Sequence, residues 1–430
     1  MALFGCIESD SEDDGPLLSL EAGSSGWASP IALSPSGIDG RTRYNFGKAM
    51  AIDGAGVIHV VWVEVQEELS DIDVRGRIYY QRSPDGGFTW LAPRALTPVY
   101  QRVGYPKLAA VGPYVYVVWH DDHEGTQYPY VRVSNNHGDS FAAARRVSNY
   151  PGGLPAVAAY GSAVHVVWVS TDASTGANEV FIRSSIDWGA SWLGERMPSS
   201  SDPLGQRLTG DGISSWTPMV AAWGTHVYVV WTDERHNRDA SGNPFDCGAQ
   251  PRPTSGDDLC REEVYFRRST SAGQTWGPEV RLTSWAPGIG NNAASVDADA
   301  SGVHVSYFSK PESVNAIFYR VSHDDGVHFG PPVVIENLLA SNRPSVAARG
   351  NQVDIAFWSV VSGVGAHIFH ARSTNGGASF GSAAERAAGN HLAMDPQMAL
   401  GADGTAHILY VDAAAPGSAS RRIYYTRTLP

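Results

Sequence analysis

Short runs of branched and aromatic residues alternate with glycine-containing turns along almost the whole chain, and helical periodicity is nearly absent. The tripeptide Val-Val-Trp, typical of a strand buried on both faces, recurs at residues 117–119, 166–168 and 229–231. Each copy follows an alanine-rich run and a glycine turn, and a strand with aromatic and polar residues comes after it. The pattern therefore predicts an all-β protein made of repeated groups of strands.

An eight-residue motif, Ser-x-Asp-x-Gly-x-Thr-Trp, occupies residues 83–90 and returns five times in degenerate form; we call each copy a repeat loop. The copies begin at Ser83, Ser134, Ser185, Ser269, Ser322 and Ser373, so four steps measure 51 to 53 residues and one measures 84. The third position is Asp85, Asn136, Asp187, Ser271, Asp324 or Asn375, whereas the fifth is always glycine. A period near 50 residues indicates a repeat array.

Turn chemistry explains the residues of the repeat loop. A short Asp or Asn side chain accepts hydrogen bonds from the backbone N–H groups just after it, and glycine supplies the positive φ of a tight loop. Serine and threonine hydroxyls hold the loop from either side, and the closing aromatic can wedge between neighbouring sheets. We therefore interpret the loops as structural. The same interpretation applies to histidines that recur on the second strands, at His59, His165, His304 and His407.

Each repeat has four strands, which is the content of one β-propeller blade. The final segment, residues 394–428, copies the first three strands and stops where a repeat loop would begin. Residues 27–34 resemble the fourth strand of another repeat, residues 276–283, with leucine six positions after tryptophan in both. The sequence thus predicts a single seven-bladed propeller of four-stranded antiparallel blades over residues 23–430. The N-terminal strand would complete the C-terminal blade and leave no free sheet edge.

Composition limits the kind of partner. Lysine and arginine number 31 against 44 acidic residues, a formal net charge of −13, which argues against nucleic acid. No apolar run approaches the length of a membrane span. The expected partners are therefore a glycan or an extracellular protein.

The cysteines bear on the compartment. Cys247 and Cys260 lie in an insertion, residues 237–261, that accounts for the 84-residue step. A disulfide between them would stabilise the fold by about 3 kcal/mol and would imply an oxidising compartment; two free thiols or a metal site are the alternatives. Cys6 ends a Leu-Phe-Gly-Cys segment like that of a bacterial lipoprotein signal, although the basic and apolar regions that precede such a cysteine are missing. A lipid anchor at Cys6 and an incidental cysteine both stay open, with residues 1–22 as a flexible tether. We expect an extracytoplasmic protein that is secreted, periplasmic or a cell-surface lipoprotein.

In a propeller, the loops that enter the first strand and leave the second share one face, so we predict the functional site there. The expected binding residues are Arg102, Tyr105, Trp216, Arg235, His236, Arg343 and Asp395. Candidate general acids or bases are His120, Asp121, Asp233 and Glu234. No cofactor is required, although His120, Asp122 and His123 could hold a divalent cation through imidazole and carboxylate ligands. The alternatives are a solvated polar loop and a local pair of Arg235 with Asp233 or Glu234.

The repeat loops resemble the Asp-box, or bacterial neuraminidase repeat, of sialidases and their relatives, and the resemblance covers nearly the whole chain. It implies a sialidase-like β-propeller, an architecture that also occurs in non-catalytic propellers and lectin-like proteins. Sialidases are typically six-bladed and carry Arg-Ile-Pro near the first blade, which this sequence lacks; Arg41 and Arg43 precede the first blade instead.

Three functional hypotheses follow. The first is a secreted or surface-anchored propeller that binds a glycan or a protein without chemistry. The second is a glycoside hydrolase, such as an exo-sialidase, or a polysaccharide lyase that uses carboxylates, histidine or tyrosine on the same face. The third is a structural component of an extracellular assembly.

Overall fold

The computed structural model of the protein describes residues 18–19, 26–35, 39–41, 48–69, 74–98, 100–172, 176–193, 214–236, 262–283, 291–309, 315–336, 341–387, 392–415, 417–418 and 420–429. All regular secondary structure in these ranges is β-strand, so the predicted all-β class is confirmed. Within the same ranges no helix is long and apolar enough to cross a membrane.

Thirty strands are formed in the described residues. The first fifteen are β1 (Leu18–Ser19), β2 (Ile31–Ala32), β3 (Asp39–Arg41), β4 (Met50–Ile52), β5 (Ile58–Glu68), β6 (Val74–Ser83), β7 (Thr89–Trp90), β8 (Arg94–Ala95), β9 (Gln101–Val111), β10 (Tyr114–Asp121), β11 (Tyr128–Ser134), β12 (Arg145–Arg146), β13 (Gly153–Tyr160), β14 (Ala163–Thr171) and β15 (Asn178–Ser185). The others are β16 (Ser215–Trp223), β17 (His226–Asp233), β18 (Glu263–Ser269), β19 (Val280–Arg281), β20 (Asn291–Asp299), β21 (Gly302–Ser309), β22 (Ala316–Ser322), β23 (Val333–Glu336), β24 (Asn342–Arg349), β25 (Gln352–Val361), β26 (Gly365–Ser373), β27 (Ala384–Ala387), β28 (Met394–Leu400), β29 (Ala406–Ala413) and β30 (Arg421–Arg427).

The strands form antiparallel sheets that follow the sequence repeats. Sheets 4 (β16–β19), 5 (β20–β23) and 6 (β24–β27) each have four strands in chain order. Sheet 7 has the order β2-β30-β29-β28, because Ile31 pairs with Tyr425 and Ala32 with Tyr424. The predicted pairing of the N-terminal segment with the last repeat is thus confirmed. Sheet 3 contains β13, β14 and β15, and the segment where its fourth strand was predicted, residues 194–213, lies outside the described residues.

The first two repeats differ from the predicted separate modules. Sheet 1 (β4, β5, β6 and β8) and sheet 2 (β9–β12) join through the pairing of Val74 with Val103 and of Gly76 with Gln101. With β3 they form a single nine-stranded sheet, and β1 pairs separately with β7. The join arises because β5 and β6 are long, with 11 and 10 residues, so their hairpin continues past the length of the other repeats and meets the start of β9.

The first strands of the seven sheets are neighbours in chain order. β4 contacts β9, and the contacts continue through β13, β16, β20 and β24 to β28, which contacts β4 again. All seven strands line one cavity of about 220 Å³ whose walls are largely alanine, as the small residues of these strands predicted. The Lys48 ammonium reaches the Asp297 carboxylate across this cavity, at 3.0 Å, and so links sheets 1 and 5.

The repeat loops have the geometry that their sequence predicts. Ser83 Oγ accepts a hydrogen bond from the Gly87 amide at 2.7 Å, and Asp85 Oδ1 accepts one from the Thr89 amide at 2.9 Å. The serine-to-glycine bond is repeated in the other five loops at 2.8–3.0 Å. The loops are therefore structural turns.

Each repeat loop also packs against the preceding sheet. The closing aromatics Trp90, Phe141 and Phe380 lie edge-on to tyrosines of the third strands, with ring centroids 4.8–5.0 Å apart. These tyrosines, Tyr425, Tyr80 and Tyr319 respectively, share hydrogen bonds of 2.6–2.7 Å with the second-strand histidines His407, His59 and His304. The predicted wedge between sheets and the packing role of these histidines are both confirmed. The Trp90–Tyr425 contact joins sheet 1 to sheet 7.

Candidate functional site

The predicted site is on the face where the first strands begin and the second strands end, which we call the rim. Six first strands carry a non-glycine residue with φ between 47° and 53° at their start: Tyr105, Leu154, Thr217, Ala293, Arg343 and Asp395. At each of them the pairing with the second strand shifts register. Because six sheets share this left-handed conformation, it belongs to a repeated β-bulge and does not mark one sheet as the site.

His120 is a packing residue between sheets 2 and 3. Its side chain is 2 % exposed and lies against Gly104 and Gly153, where an added Cβ would be 2.6 Å and 2.9 Å from the ring nitrogens. The Leu154 amide donates to its Nδ1 at 3.2 Å, and Tyr105 packs on the ring. Both neighbours must be glycine for the imidazole to fit. This arrangement leaves His120 poorly placed to act as a general base.

Two of the candidate catalytic carboxylates are held by the tryptophan two residues earlier on the same strand. The Trp119 indole N–H donates to Asp121 Oδ2 at 2.6 Å, and the Trp231 indole N–H donates to Asp233 Oδ2 at 3.1 Å. In sheet 7 the equivalent Asp412 accepts from the backbone amides of residues 392 and 413. These aspartates therefore satisfy buried donors at the ends of the second strands.

Arg235 is clamped at the rim of sheet 4. Its guanidinium donates twice to Asp233 and once to Glu279, all at 2.7 Å, and stacks 4.3 Å from the centre of the Tyr265 ring. The local pairing of Arg235 with Asp233 was one of the two interpretations left open by the sequence, and the structure supports it. Burial raises the pKa of the Glu279 carboxyl to about 7, although Arg235 opposes the shift.

The other predicted binding residues are distributed around the rim. Arg343 donates to Asp395 between sheets 6 and 7, and His236 Nε2 lies 2.6 Å from the Tyr265 hydroxyl. Trp216 is half-buried at the start of β16, Arg102 is exposed on β9, and Glu234 is 3 % exposed directly after β17. The structure therefore brings together Arg235, His236 and Asp233, whereas Arg343 and Asp395 form a separate pair.

The predicted cation ligands do not assemble. His123 bonds to Asp121 and its ring lies 4.7 Å from that of Tyr130, while His120 is fixed between glycines. In the part of the chain that the structure describes, no three His, Cys, Asp or Glu side chains are grouped so that they could hold a metal ion. The set His120, Asp122 and His123 thus has no structural support.

Sheet 1 breaks the pattern of the second-strand carboxylates. At the position of Asp121 and Asp233 it carries Glu64, which is 7 % exposed. Both Glu64 Oε2 and the indole nitrogen of Trp62 are buried without a hydrogen-bond partner. The extra methylene of glutamate thus leaves a buried carboxylate oxygen without the contact that aspartate makes elsewhere.

Glu64 has aromatic and cationic neighbours. Arg77 is its directly paired residue on β6, and the Arg77 guanidinium stacks 4.4 Å from the centre of the Tyr100 ring. Burial first, and then the Glu64 carboxylate, raises the pKa of both Tyr79 and Tyr100. Arg77 Nε is itself buried without a hydrogen-bond partner. We call Glu64, Arg77, Tyr79 and Tyr100 the sheet 1 cluster.

Stacking of arginine on tyrosine occurs three times near the rim. Besides the pairs in sheets 1 and 4, Arg146 lies 3.7 Å from the centre of the Tyr128 ring in sheet 2 and pairs with Glu124 at 3.2 Å. Stacking fixes the orientation of each guanidinium. The N–H groups in the guanidinium plane can still donate hydrogen bonds. Arg77, Tyr79, Tyr100, Tyr128 and Arg146 were missed in the sequence because no motif marks them.

Two of the three lysines of the chain lie on the first strands or directly before one. Lys107 is 2 % exposed, its amine bonds only to the Met219 sulfur at 3.3 Å, and burial lowers its pKa to about 7. At the same position sheet 4 carries Met219, because Lys107 is opposite Val118 and Met219 is opposite the equivalent Val230. Lys107 could not be singled out from the sequence, since its neighbours match those of an ordinary first strand.

Several predictions concern residues outside the described ranges. They are the tether of residues 1–22 with Cys6, and the insertion of residues 237–261 with its Cys247–Cys260 disulfide. All of them stay predictions.

No protein-family model and no curated protein sequence matches this chain. Solved structures do resemble it. An ulvan lyase, described as a new polysaccharide lyase family and bound to -[GlcA(1-4)Rha3S]-, superposes with a TM-score of 0.53 at 11% identity, over 87% of this chain and 90% of its own. A protein of unknown function from Dyadobacter fermentans gives a TM-score of 0.51 at 13% identity, over 83% and 98%. A Hadza microbial sialidase superposes less well, with a TM-score of 0.44 at 13% identity over 73% and 62% of the chains.

Identities this low show the fold alone. Together with the repeated antiparallel sheets, the likenesses support a β-propeller fold.

Proposed function

We propose that residues 23–430 form one closed seven-bladed propeller that works outside the cytoplasm and binds glycans on its rim. Seven first strands that contact one another in cyclic order support the blade count and the closure. The pairing of β2 with β30 supports the use of the N-terminal strand as the last blade's fourth strand.

The observation that carries the glycan proposal is the set of three arginine-on-tyrosine stacks near the rim, with distances of 3.7–4.4 Å. A sugar offers hydroxyl oxygens to the in-plane N–H groups of a fixed guanidinium and apolar C–H faces to an aromatic ring. Because stacking already orders these side chains, little conformational entropy is lost when a ligand binds. Asp121 and Asp233, which the sequence analysis proposed as catalytic, are meanwhile engaged by indole and guanidinium groups.

Titration calorimetry against alginate, hyaluronan, chondroitin sulfate and dextran tests this proposal. Replacing Arg146 with glutamine is expected to weaken binding of the recognised polysaccharide about tenfold, the loss of about 1.4 kcal/mol that a charged hydrogen bond can supply. Arg349→Gln is the matched control, because Arg349 is exposed at the first turn of sheet 6, on the opposite face. Equal losses in both variants would indicate unspecific attraction, and absence of binding to all four polymers would refute the proposal.

A second candidate function, a glycoside hydrolase or polysaccharide lyase, is favoured by Glu279. Its pKa of about 7 is what a general acid or base working near neutral pH requires, and Glu279 Oε1 is buried without a hydrogen-bond partner. The Arg235 guanidinium beside it could stabilise a developing negative charge.

Catalysis predicts that a rate measured on fluorogenic glycosides or uronate polysaccharides changes through pH 7 as Glu279 titrates. Glu279→Gln should lower that rate at least about 100-fold and remove the change near pH 7. An unchanged rate in Glu279→Gln would exclude Glu279 as the general acid or base. Absence of activity in the native protein would exclude catalysis, and glycan binding would stand as the proposed function.

A further inference from the structure

We infer that Glu64 and Arg77 form a subsite for two adjacent hydroxyl groups of a neutral sugar unit, held against the rim of sheet 1. The inference rests on the proposed glycan-binding function and names the chemistry of one part of that site.

Strand geometry brings the two charged side chains together. Glu64 and Arg77 are directly opposite each other on β5 and β6, so their side chains emerge on the same face of the sheet with Cβ atoms about 5 Å apart. Tyr79 is two residues from Arg77 and shares that face. A glutamate and an arginine at this separation can ordinarily form an ion pair.

Here they form none. The Tyr79 and Tyr100 side chains hydrogen-bond to Glu64, and Tyr79 also to Arg77. Among the described residues, Glu64 Oε2 and Arg77 Nε are nevertheless buried without a hydrogen-bond partner, and the guanidinium lies over Tyr100. A buried oxygen or N–H that is left unsatisfied destabilises the folded protein, and more so when the group is charged. Two such groups side by side therefore indicate a place where a ligand supplies the missing partners.

The charges of the two groups select the class of ligand. A phosphate, sulfate or carboxylate would meet the Glu64 carboxylate, and a cation would meet Arg77, so either charged group is disfavoured. A hydroxyl group is neutral and both donates and accepts. Two adjacent hydroxyls can donate to the carboxylate and accept from the guanidinium at once, while Tyr100 or Tyr79 packs on the sugar ring.

Comparison with the other sheets separates this arrangement from a packing requirement. Trp119 and Trp231 reach Asp121 and Asp233, but the Trp62 indole does not reach Glu64. The carboxylate in sheet 1 thus lacks the structural contact that the same position has in sheets 2 and 4.

The experiment compares Glu64→Gln with Asp412→Asn, the equivalent position in sheet 7, where backbone amides occupy the carboxylate. Hyaluronan or dextran, whichever binds the native protein, serves as the probe because both contain neutral sugar units. Binding to alginate or chondroitin sulfate alone would overturn the subsite. We expect Glu64→Gln to weaken binding 10- to 100-fold with an unchanged or higher melting temperature. Asp412→Asn should lower the melting temperature and leave the affinity within twofold.

A double variant, Glu64→Gln with Arg77→Gln, adds a second test. If both side chains hold the same pair of hydroxyls, the double variant should lose little more affinity than the weaker-binding single variant. Additive losses would overturn the shared subsite. Native-like affinity of Glu64→Gln, or a fall in its melting temperature like that of Asp412→Asn, would also overturn the inference while glycan binding stands. A native protein that binds none of the four polymers would refute the proposed function and this subsite together.

Discussion

Replacing Lys107 with methionine is expected to raise the free energy of unfolding by about 4 kcal/mol at pH 7, because a buried amine whose pKa falls from 10.5 to about 7 disfavours the folded state. Only burial drives this shift. Methionine fits the site, since sheet 4 already has it at the equivalent position, and it keeps the length of the side chain.

The direction in which stability changes with pH follows from proton binding at Lys107. Between pH 7 and pH 10.5 the unfolded chain binds a proton at Lys107 that the folded chain does not, so native stability rises with pH by up to about 1.4 kcal/mol per unit. Below pH 7 the cost is constant and largest. The advantage of Lys107→Met should therefore be full below pH 7 and vanish above pH 10.5, as thermal unfolding at a series of pH values would show.

Lys48→Met is the control for that series. Lys48 pairs with Asp297 across the central cavity, so its loss should lower stability by about 1 kcal/mol and not raise it. A Lys107→Met protein that is less stable than the native one at pH 7 would contradict the expectation. It would show that the Lys107 amine makes a contact that stabilises the fold.

Replacing Gly87 with alanine is expected to lower the free energy of unfolding by more than about 3 kcal/mol. The added Cβ would overlap the Tyr425 hydroxyl, and the backbone there has φ of +91°. Tyr425 has no room to move away, because it is fully buried and its hydroxyl shares a 2.7 Å hydrogen bond with His407. The substitution would disrupt the packing between sheets 1 and 7.

The preceding residue offers a matched control. Gly86 also has a positive φ, +70°, but an added Cβ there would meet nothing within 4 Å. The fourth repeat loop already has alanine at this position, Ala272, with φ of +50°. Gly86→Ala should therefore cost about 1 kcal/mol, the strain of the left-handed conformation alone. Equal losses for the two variants in denaturant unfolding would refute the role assigned to Tyr425.

Much of the fold could be predicted from the sequence because the repeat loops use local chemistry. Ser83, Asp85 and Gly87 form hydrogen bonds within their own turn, so the turn can be recognised from the sequence without knowledge of the tertiary structure. The strand at residues 27–34 could be assigned to the last repeat because it copies a known fourth strand. The junction of sheets 1 and 2 could not be predicted, because it depends on the pairing of β6 with β9 and no turn signal marks that pairing.

The candidate site was harder to predict for a geometric reason. Glu64, Asp121 and Asp233 have the same charge and the same place in their repeats, yet an indole reaches only the two aspartates. The glutamate is one methylene longer, and its carboxylate interacts with Tyr79 and Tyr100 instead of the indole. The titratable residues next to His120 in the sequence suggested a catalytic role. However, the two glycines that enclose its ring belong to different strands. Such contacts appear only once the sheets are assembled.

The pairing of β2 with β30 also sets the order in which the molecule can be completed during translation. The ribosome releases Ile31 and Ala32 almost four hundred residues before their partners Tyr424 and Tyr425. Until β30 is made, β2 has no partner, and its unpaired edge is a template for pairing with other chains. The register of β2 is therefore set only when β30 has been synthesised.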